Sequence, residues 1–94
     1  MKSMIVTGAA NGLGRAVAQR ADLAGYRVGV LDIAREPAET TAAELSHGEA
    51  LVCDVTNAEL IAQQFEQFGE IDVLVNNAGI LRTGPLIDLS LIHI

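Results

Sequence analysis

The sequence is poor in cysteine, aromatic residues and basic side chains, and each shortage excludes a class of protein. The single cysteine, Cys53, has no internal disulfide partner and lies in an apolar run, where a thiol acts as a small hydrophobic side chain. Six Lys and Arg residues against 12 Asp and Glu give a net charge of −6, which argues against nucleic acid or an anionic membrane as partner. No apolar stretch approaches the roughly 20 residues of a membrane span, and no signal-peptide pattern follows Met1. We therefore expect a small-molecule partner and a cytoplasmic location.

Strand patterns alternate with helix patterns along the 94 residues, half of which are hydrophobic. The strands are predicted at residues 4–7, 27–31, 50–53 and 71–75. The first helix follows Gly14 and ends at Gly25, and the second runs from Pro37 to about Leu45, with Gly48 as its stop. Thr56 and Glu59 predict a capping box for a third helix, which carries the apolar residues Leu60, Ile61, Phe65 and Phe68 and ends at Gly69.

This alternation predicts an α/β fold with a parallel sheet. Right-handed crossovers make it the first half of a doubly wound, Rossmann-type sheet with strand order 3-2-1-4. In that order the fourth strand lies at an exposed edge.

A glycine-rich loop joins the first strand to the first helix. Residues 7–14 read Thr-Gly-Ala-Ala-Asn-Gly-Leu-Gly, with the spacing G-x-x-x-G-x-G. We expect Gly8 to allow the turn out of the strand, Gly12 to let the backbone approach a phosphate, and Gly14 to let the helix pack closely on the sheet. The segment lacks the Lys-Ser/Thr ending of a P-loop. Taken alone, such a loop is also consistent with a simple structural turn.

Three further motifs stand in register with this loop. Asp32 ends the second strand, Asp54 and Val55 follow the third, and residues 76–79 read Asn-Asn-Ala-Gly after the fourth. Together with the loop, which matches T-G-x-x-x-G-x-G, these motifs make the sequence similar to the short-chain dehydrogenase/reductase family. The resemblance covers residues 1–88 and implies the nucleotide-binding part of an oxidoreductase.

The resemblance implies a preference for NAD(H) over NADP(H). A carboxylate at Asp32 would accept hydrogen bonds from the adenosine ribose and repel a 2′-phosphate. Family members that use NADP(H) often have a basic residue where this chain has Asn11. Arg35 leaves an alternative open, because it would tolerate a 2′-phosphate if it turned inward, whereas a solvated surface arginine would not.

The resemblance also assigns roles to the other motifs. Asp54 and the Val55 backbone would bind adenine, although Asp54 is also typical of an ordinary turn. Asn77, Ala78 and Gly79 would line the ribose side, while Asn76 would tie the end of the fourth strand to neighbouring backbone. No cluster of His, Cys or carboxylates has metal-ligand spacing. The expected cofactor contacts are Gly8, Ala10, Asn11, Gly12, Leu13, Gly14, Asp32, Asp54, Val55, Asn77, Ala78 and Gly79.

The residues that carry the family's chemistry are not found in this sequence. The family uses an Asn, a Ser and a Tyr with a Lys four residues later, and Tyr26, the one tyrosine here, begins the second strand. We therefore predict no catalytic residue and no turnover by the chain itself.

Residues 1–88 are interpreted as the N-terminal part of a longer domain. Residues 89–94 do not continue the family's pattern, and we expect them to be a non-native tail of the kind that a sequencing adapter encodes.

The whole protein is expected to transfer hydride between a nicotinamide cofactor and a secondary alcohol or ketone, and to be a homo-oligomer as its family implies. Its substrate stays open among 3-oxoacyl thioesters, sugars or polyols, and steroids. Two other hypotheses remain: a non-catalytic nucleotide sensor of the same fold, and an independent half-fold.

Overall fold

The structure, a computed structural model, describes residues 1–54, 56–77 and 92–93. Strands and helices alternate along the chain, as predicted. The strands are β1 (Ser3–Thr7), β2 (Arg27–Asp32), β3 (Gly48–Val52), β4 (Val73–Val75) and β5 (Ile92–His93). The helices are α1 (Gly12–Leu23), α2 (Arg35–Glu44) and α3 (Ala58–Phe68). Among the described residues, no helix is long and apolar enough to cross a membrane.

The strands form one parallel sheet in the order β3-β2-β1-β4-β5. The predicted order 3-2-1-4 is confirmed, and β1 lies between β2 and β4, with Ile5 opposite both Gly29 and Leu74. The expectation that β4 forms the edge is wrong, because β5 pairs with it on the far side. β5 falls in the segment that the sequence pattern assigns to a non-native tail, which is why it was not predicted as a strand.

The two faces of the sheet carry separate hydrophobic clusters. Helices α1 and α2 contribute to one cluster, in which Ala18 and Ala38 pack with Val6 and Val30 of the sheet. Helix α3 covers the other face, where its apolar stripe, Ile61, Phe65 and Phe68, packs on Ile5, Leu31, Leu51 and Leu74. The central strands are therefore buried on both faces, as their continuous apolar sequences predict.

Several boundaries differ from the sequence-based expectations. The predicted capping box is wrong: Asn57 is the N-cap of α3 and accepts from the Leu60 N–H at 3.1 Å, whereas Thr56 bonds to Asp54. Gly48 begins β3 instead of lying between α2 and the strand. β4 begins at Val73 and not at residue 71. Just before it, the Asp72 carboxylate accepts from the Ser3 N–H at 2.8 Å, and the Asp72 N–H donates to the Ser3 carbonyl at 2.9 Å.

Candidate functional site

The predicted site residues gather where the strand order reverses. The carboxyl ends of β1, β2 and β4 meet at one edge of the sheet because all three strands are parallel. The glycine-rich loop leaves β1 there, Asp32 ends β2, and Asn76 and Asn77 follow β4. In open α/β sheets this edge is the usual place for a ligand.

The loop leads directly into the N-terminus of α1. Asn11 is the N-cap, its side chain makes no capping hydrogen bond, and the first turn of the helix contains no acidic residue. The first N–H groups of a helix have no partner within the helix and, together with the helix dipole, favour an anion. This end of α1 therefore fits a phosphate group.

The loop glycines serve two different needs. Gly12 has a φ of +60°, and a Cβ built on it would meet no atom of the described residues within 4 Å, so within that part of the chain its Cα faces open space at the start of α1. At Gly14 a Cβ would lie 2.3 Å from the Gly8 carbonyl oxygen and 2.7 Å from Asn77 Nδ2. Gly14 thus lets α1 approach the loop and Asn77, and not only the sheet as the sequence suggested.

Asp32 lies beside the loop and is hydrogen-bonded to backbone on two sides. Its Oδ2 accepts from the Ala10 N–H at 3.2 Å, and its Oδ1 accepts from the Ala34 N–H at 3.1 Å. These two bonds fix the carboxylate at the end of β2. The structure therefore joins Asp32 directly to the glycine-rich loop, a contact that the sequence analysis did not foresee.

Two apolar side chains at this edge are exposed. Leu13 is 71% exposed at the start of α1, and Ile33 is 65% exposed directly after Asp32. Leu13 is one of the predicted cofactor contacts, whereas Ile33 is not among them. The signal for Ile33 is its position, an apolar residue between the strand-ending aspartate and the next helix.

Thr7, Asn76 and Asn77 fasten the end of β4 to the loop. The Thr7 hydroxyl lies 3.3 Å from both the Val75 carbonyl oxygen and Asn76 Oδ1, and it accepts from the Asn77 N–H at 2.9 Å. Asn77 Nδ2 donates to the Gly8 carbonyl at 3.4 Å. Asn76 was expected to bond to backbone, but its partner is the Thr7 side chain. Ala78 and Gly79, predicted beside Asn77, lie outside the described residues.

Asp54 lies at the same edge, two residues beyond the end of β3. The Thr56 N–H and hydroxyl both donate to its Oδ1, at 2.9 and 2.7 Å. These two bonds, the backbone one first, lower the pKa of the Asp54 carboxyl. Burial, followed by the nearby Asp54 charge, raises the pKa of the Cys53 thiol. Val55, predicted to complete the adenine contact, lies outside the described residues.

Arg35 lies on the surface of α2 and pairs with Glu39 of the same helix at 4.0 Å, with 69% of its side chain exposed. This geometry favours the solvated surface arginine of the two alternatives. Among the described residues, no group of three or more His, Cys, Asp or Glu side chains is placed to hold a metal ion.

The sequence matches a known protein family over almost its whole length. The profile of the short chain dehydrogenases matches residues 2–93. A sorbitol dehydrogenase of Cereibacter sphaeroides is 36% identical over 94 residues, which cover 95% of this chain and 37% of the relative. The chain thus spans just over a third of that relative's length.

Solved structures of similar fold include complexes with both nicotinamide cofactors. A 3-oxoacyl-[acyl-carrier protein] reductase with bound NAD from Brucella melitensis is 32% identical with a TM-score of 0.77, and the match covers 84% of this chain and 32% of that one. The RhlG/NADP active-site complex of Pseudomonas aeruginosa is 34% identical with a TM-score of 0.76, covering 84% and 35%. By its sequence, its sheet order and its glycine-rich loop, the chain belongs to the short-chain dehydrogenase family.

Proposed function

We propose that this chain binds the adenosine half of NAD(H), as the nucleotide-binding part of an oxidoreductase. The observation that carries the proposal is the bond between Asp32 and Ala10, which places a carboxylate beside an uncapped helix N-terminus. A dinucleotide presents a pyrophosphate and a ribose diol close together, and these are the groups that such a pair of features recognises.

The residues present fit this cofactor. The open space at Gly12 leaves room for a phosphate at the start of α1, and the Asp32 carboxylate would accept from the ribose hydroxyls. Leu13 and Ile33 supply apolar surface at the same edge. When bound, the nicotinamide group supplies hydride transfer.

We further propose that the whole enzyme acts on a secondary alcohol or ketone. A relative named sorbitol dehydrogenase and a neighbour named 3-oxoacyl reductase support this class. The chain itself is expected to have no turnover, since Tyr26 precedes β2 at the opposite edge of the sheet from Asp32. Six residues of extended strand separate them by about 20 Å, too far for Tyr26 to exchange a proton at this site.

The preference for NAD(H) rests on the charge of Asp32. Two unit charges about 4 Å apart interact by roughly 4 kcal/mol at an effective dielectric constant of 20. Asp32 is only partly buried, so water screens part of this repulsion. We expect at least about a tenfold preference for a ribose without a 2′-phosphate, which corresponds to about 1.4 kcal/mol.

The proposal is tested with ligands that correspond to the adenosine half of the cofactor. The chain is titrated by calorimetry or NMR with ADP-ribose and with 2′-phospho-ADP-ribose, and ADP-ribose is expected to bind more tightly. Equal affinities would refute the NAD(H) preference. A folded chain that binds neither ligand would refute the site.

Asp32→Asn removes the charge and keeps one of the two backbone hydrogen bonds, because the amide has one accepting oxygen whereas Asp32 uses both carboxylate oxygens. We expect the ratio of the two affinities to fall toward one. Asp22→Asn is the control for net charge, since it removes one carboxylate that also accepts from backbone, in this case from the Ser46 and His47 N–H groups, both through Oδ1. Asp22 lies near the amino ends of the strands, and its variant should keep the wild-type ratio. A similar fall in both variants would mean that net charge, and not Asp32, sets the preference.

A further inference from the structure

Both backbone polar groups of Ala10 are held by side chains from outside the loop. Its N–H donates to Asp32 Oδ2 at 3.2 Å, and its carbonyl accepts from the Thr41 hydroxyl at 3.0 Å. Thr41 belongs to α2, 31 residues away in sequence, and is 1% exposed, while Ala10 is 3% exposed. The Ala10 peptide groups are therefore clamped between the end of β2 and the middle of α2.

The clamp lies directly before the proposed phosphate site. Ala10 precedes the N-cap Asn11, and Gly12 begins α1. Within the turn formed by Gly8, Ala9 and Ala10, the other tethers are longer: Ala9 N–H to the Leu31 carbonyl and Asn77 Nδ2 to the Gly8 carbonyl both measure 3.4 Å. Among the four tethers at Gly8, Ala9 and Ala10, the Thr41 bond is the shortest, so we expect it to help set the direction of the chain as it enters α1.

Packing alone does not explain a threonine at position 41. Its neighbours in the buried stripe of α2 are Ala38 and Ala42, and a valine would fill the same volume without a hydroxyl. A helical threonine commonly bonds to a carbonyl of its own helix, three or four residues earlier. Here the hydroxyl bonds to the loop instead, which satisfies a buried carbonyl that would otherwise lose water without a replacement.

We propose that Thr41 is a positioning residue for the cofactor pyrophosphate: by holding the Ala10 carbonyl, it aims the N–H groups at the start of α1. The inference rests on the proposed nucleotide site and adds a residue on α2 to it. It also couples the two parts of that site, because Asp32 and Thr41 hold the N–H and the carbonyl of the same residue.

The test compares ligands with and without a pyrophosphate. ADP-ribose and adenosine are titrated into the wild-type chain, Thr41→Val and Thr41→Ser. We expect Thr41→Val to weaken ADP-ribose binding about tenfold, the equivalent of one hydrogen bond, and to leave adenosine binding unchanged. Thr41→Ser keeps the hydroxyl and should bind ADP-ribose like the wild type. Thr40→Val is the matched control, because Thr40 is the exposed neighbour on the same helix and should have no effect.

Each outcome separates this inference from the proposed function. Wild-type chain that is folded by circular dichroism but binds neither ligand refutes the nucleotide site itself. Wild-type binding of ADP-ribose with no loss in Thr41→Val refutes only the role of Thr41. An equal loss for adenosine and ADP-ribose shows a purely structural role and also overturns the inference. If Thr41→Val does not fold, Thr41→Ala removes the same hydroxyl, and unchanged ADP-ribose affinity in that variant refutes the inference.

Discussion

Gly12 combines a backbone requirement with a proposed ligand requirement at one residue. Its φ of +60° favours glycine, and the space around its Cα is open. A side chain at this position would suffer the strain of a positive φ and, in the proposed site, would also occupy the path of a phosphate toward α1. These two effects are separable, because Gly25 has a φ of +92° and equally open surroundings but lies at the C-terminal end of α1.

We predict that Gly12→Val abolishes ADP-ribose binding, whereas Gly25→Val leaves it within about twofold. Both variants should lose similar stability, of the order of 1–2 kcal/mol, from the strain of a branched residue in the left-handed region. Thermal unfolding measures that cost, and calorimetric titration measures the affinity. If Gly12→Val still bound ADP-ribose with wild-type affinity, the loop would be only a structural turn.

At the level of single residues, the sequence predicts the motifs but not which residues contact each other. The spacing of the loop and the position of Asp32 at a strand end both follow from residue types alone. The bond from Thr41 to Ala10 joins residues 31 apart, and no local pattern specifies which buried threonine reaches which carbonyl. One signal was available: Thr41 is the polar member of an otherwise alanine stripe at helical spacing.

The contact between β2 and α3 depends on the absence of a side chain at Gly29. A Cβ there would lie 2.8 Å from Leu51 Cδ1, 3.0 Å from Phe68 Cε1 and 3.1 Å from Ile5 Cγ1. Phe68 is also the last residue of α3, and the Arg27 guanidinium lies 3.7 Å from the centre of its ring. Gly29 therefore creates the space in which the end of α3 docks on the sheet.

We predict that Gly29→Ala destabilises the chain by about 1–3 kcal/mol through overpacking. Leu51→Val removes the closest atom, so the double variant should recover part of that loss relative to the sum of the single variants. Chemical denaturation of the four proteins gives the coupling free energy. Strict additivity would show that Leu51 moves aside freely and that the close contact carries no cost.

The elements themselves were predicted where hydrophobic periodicity was strong. Helix α3 has a clear apolar stripe, and its residues were assigned correctly even though its cap was not. The capping error arose because Thr56 and Asn57 are both good N-cap residues. In the structure Thr56 donates two hydrogen bonds to the Asp54 carboxylate, and Asn57 caps the helix. Boundaries are thus decided by local competition between side chains, which residue type alone does not resolve.

For the whole molecule, the sheet order follows from chain connectivity, while the outer edge does not. Three crossover connections, which we expect to be right-handed, place β2 and β3 on one side of β1 and β4 on the other, and helices α1 and α2 share a face that α3 does not. The position of β5 could not be predicted in this way, because no strand–helix pattern in the sequence leads to it. Its two residues pair with Val73 and Leu74, so the last strand of this sheet is the shortest one described.

We predict that this edge is the weakest part of the chain and the route by which it self-associates. Val73, Leu74 and Val75 are buried apolar residues, and a two-residue strand protects their neighbouring backbone with few hydrogen bonds. A chain of 94 residues is also of marginal size for a stable core. Sedimentation should show mass that rises with concentration, and amide exchange should be faster at residues 73–75 than at residues 28–31 of β2.

Ile92→Pro sharpens this last test, because proline cannot donate a strand hydrogen bond and should loosen β5 further. Self-association and exchange at residues 73–75 should then both increase, while exchange in β2, two strands away, stays unchanged. A monodisperse monomer with equally strong protection in β2 and β4 would contradict the prediction. Such a result would mean that the backbone of β4 is well protected within the isolated chain. It would support the alternative that this half-fold is an independent nucleotide-binding module.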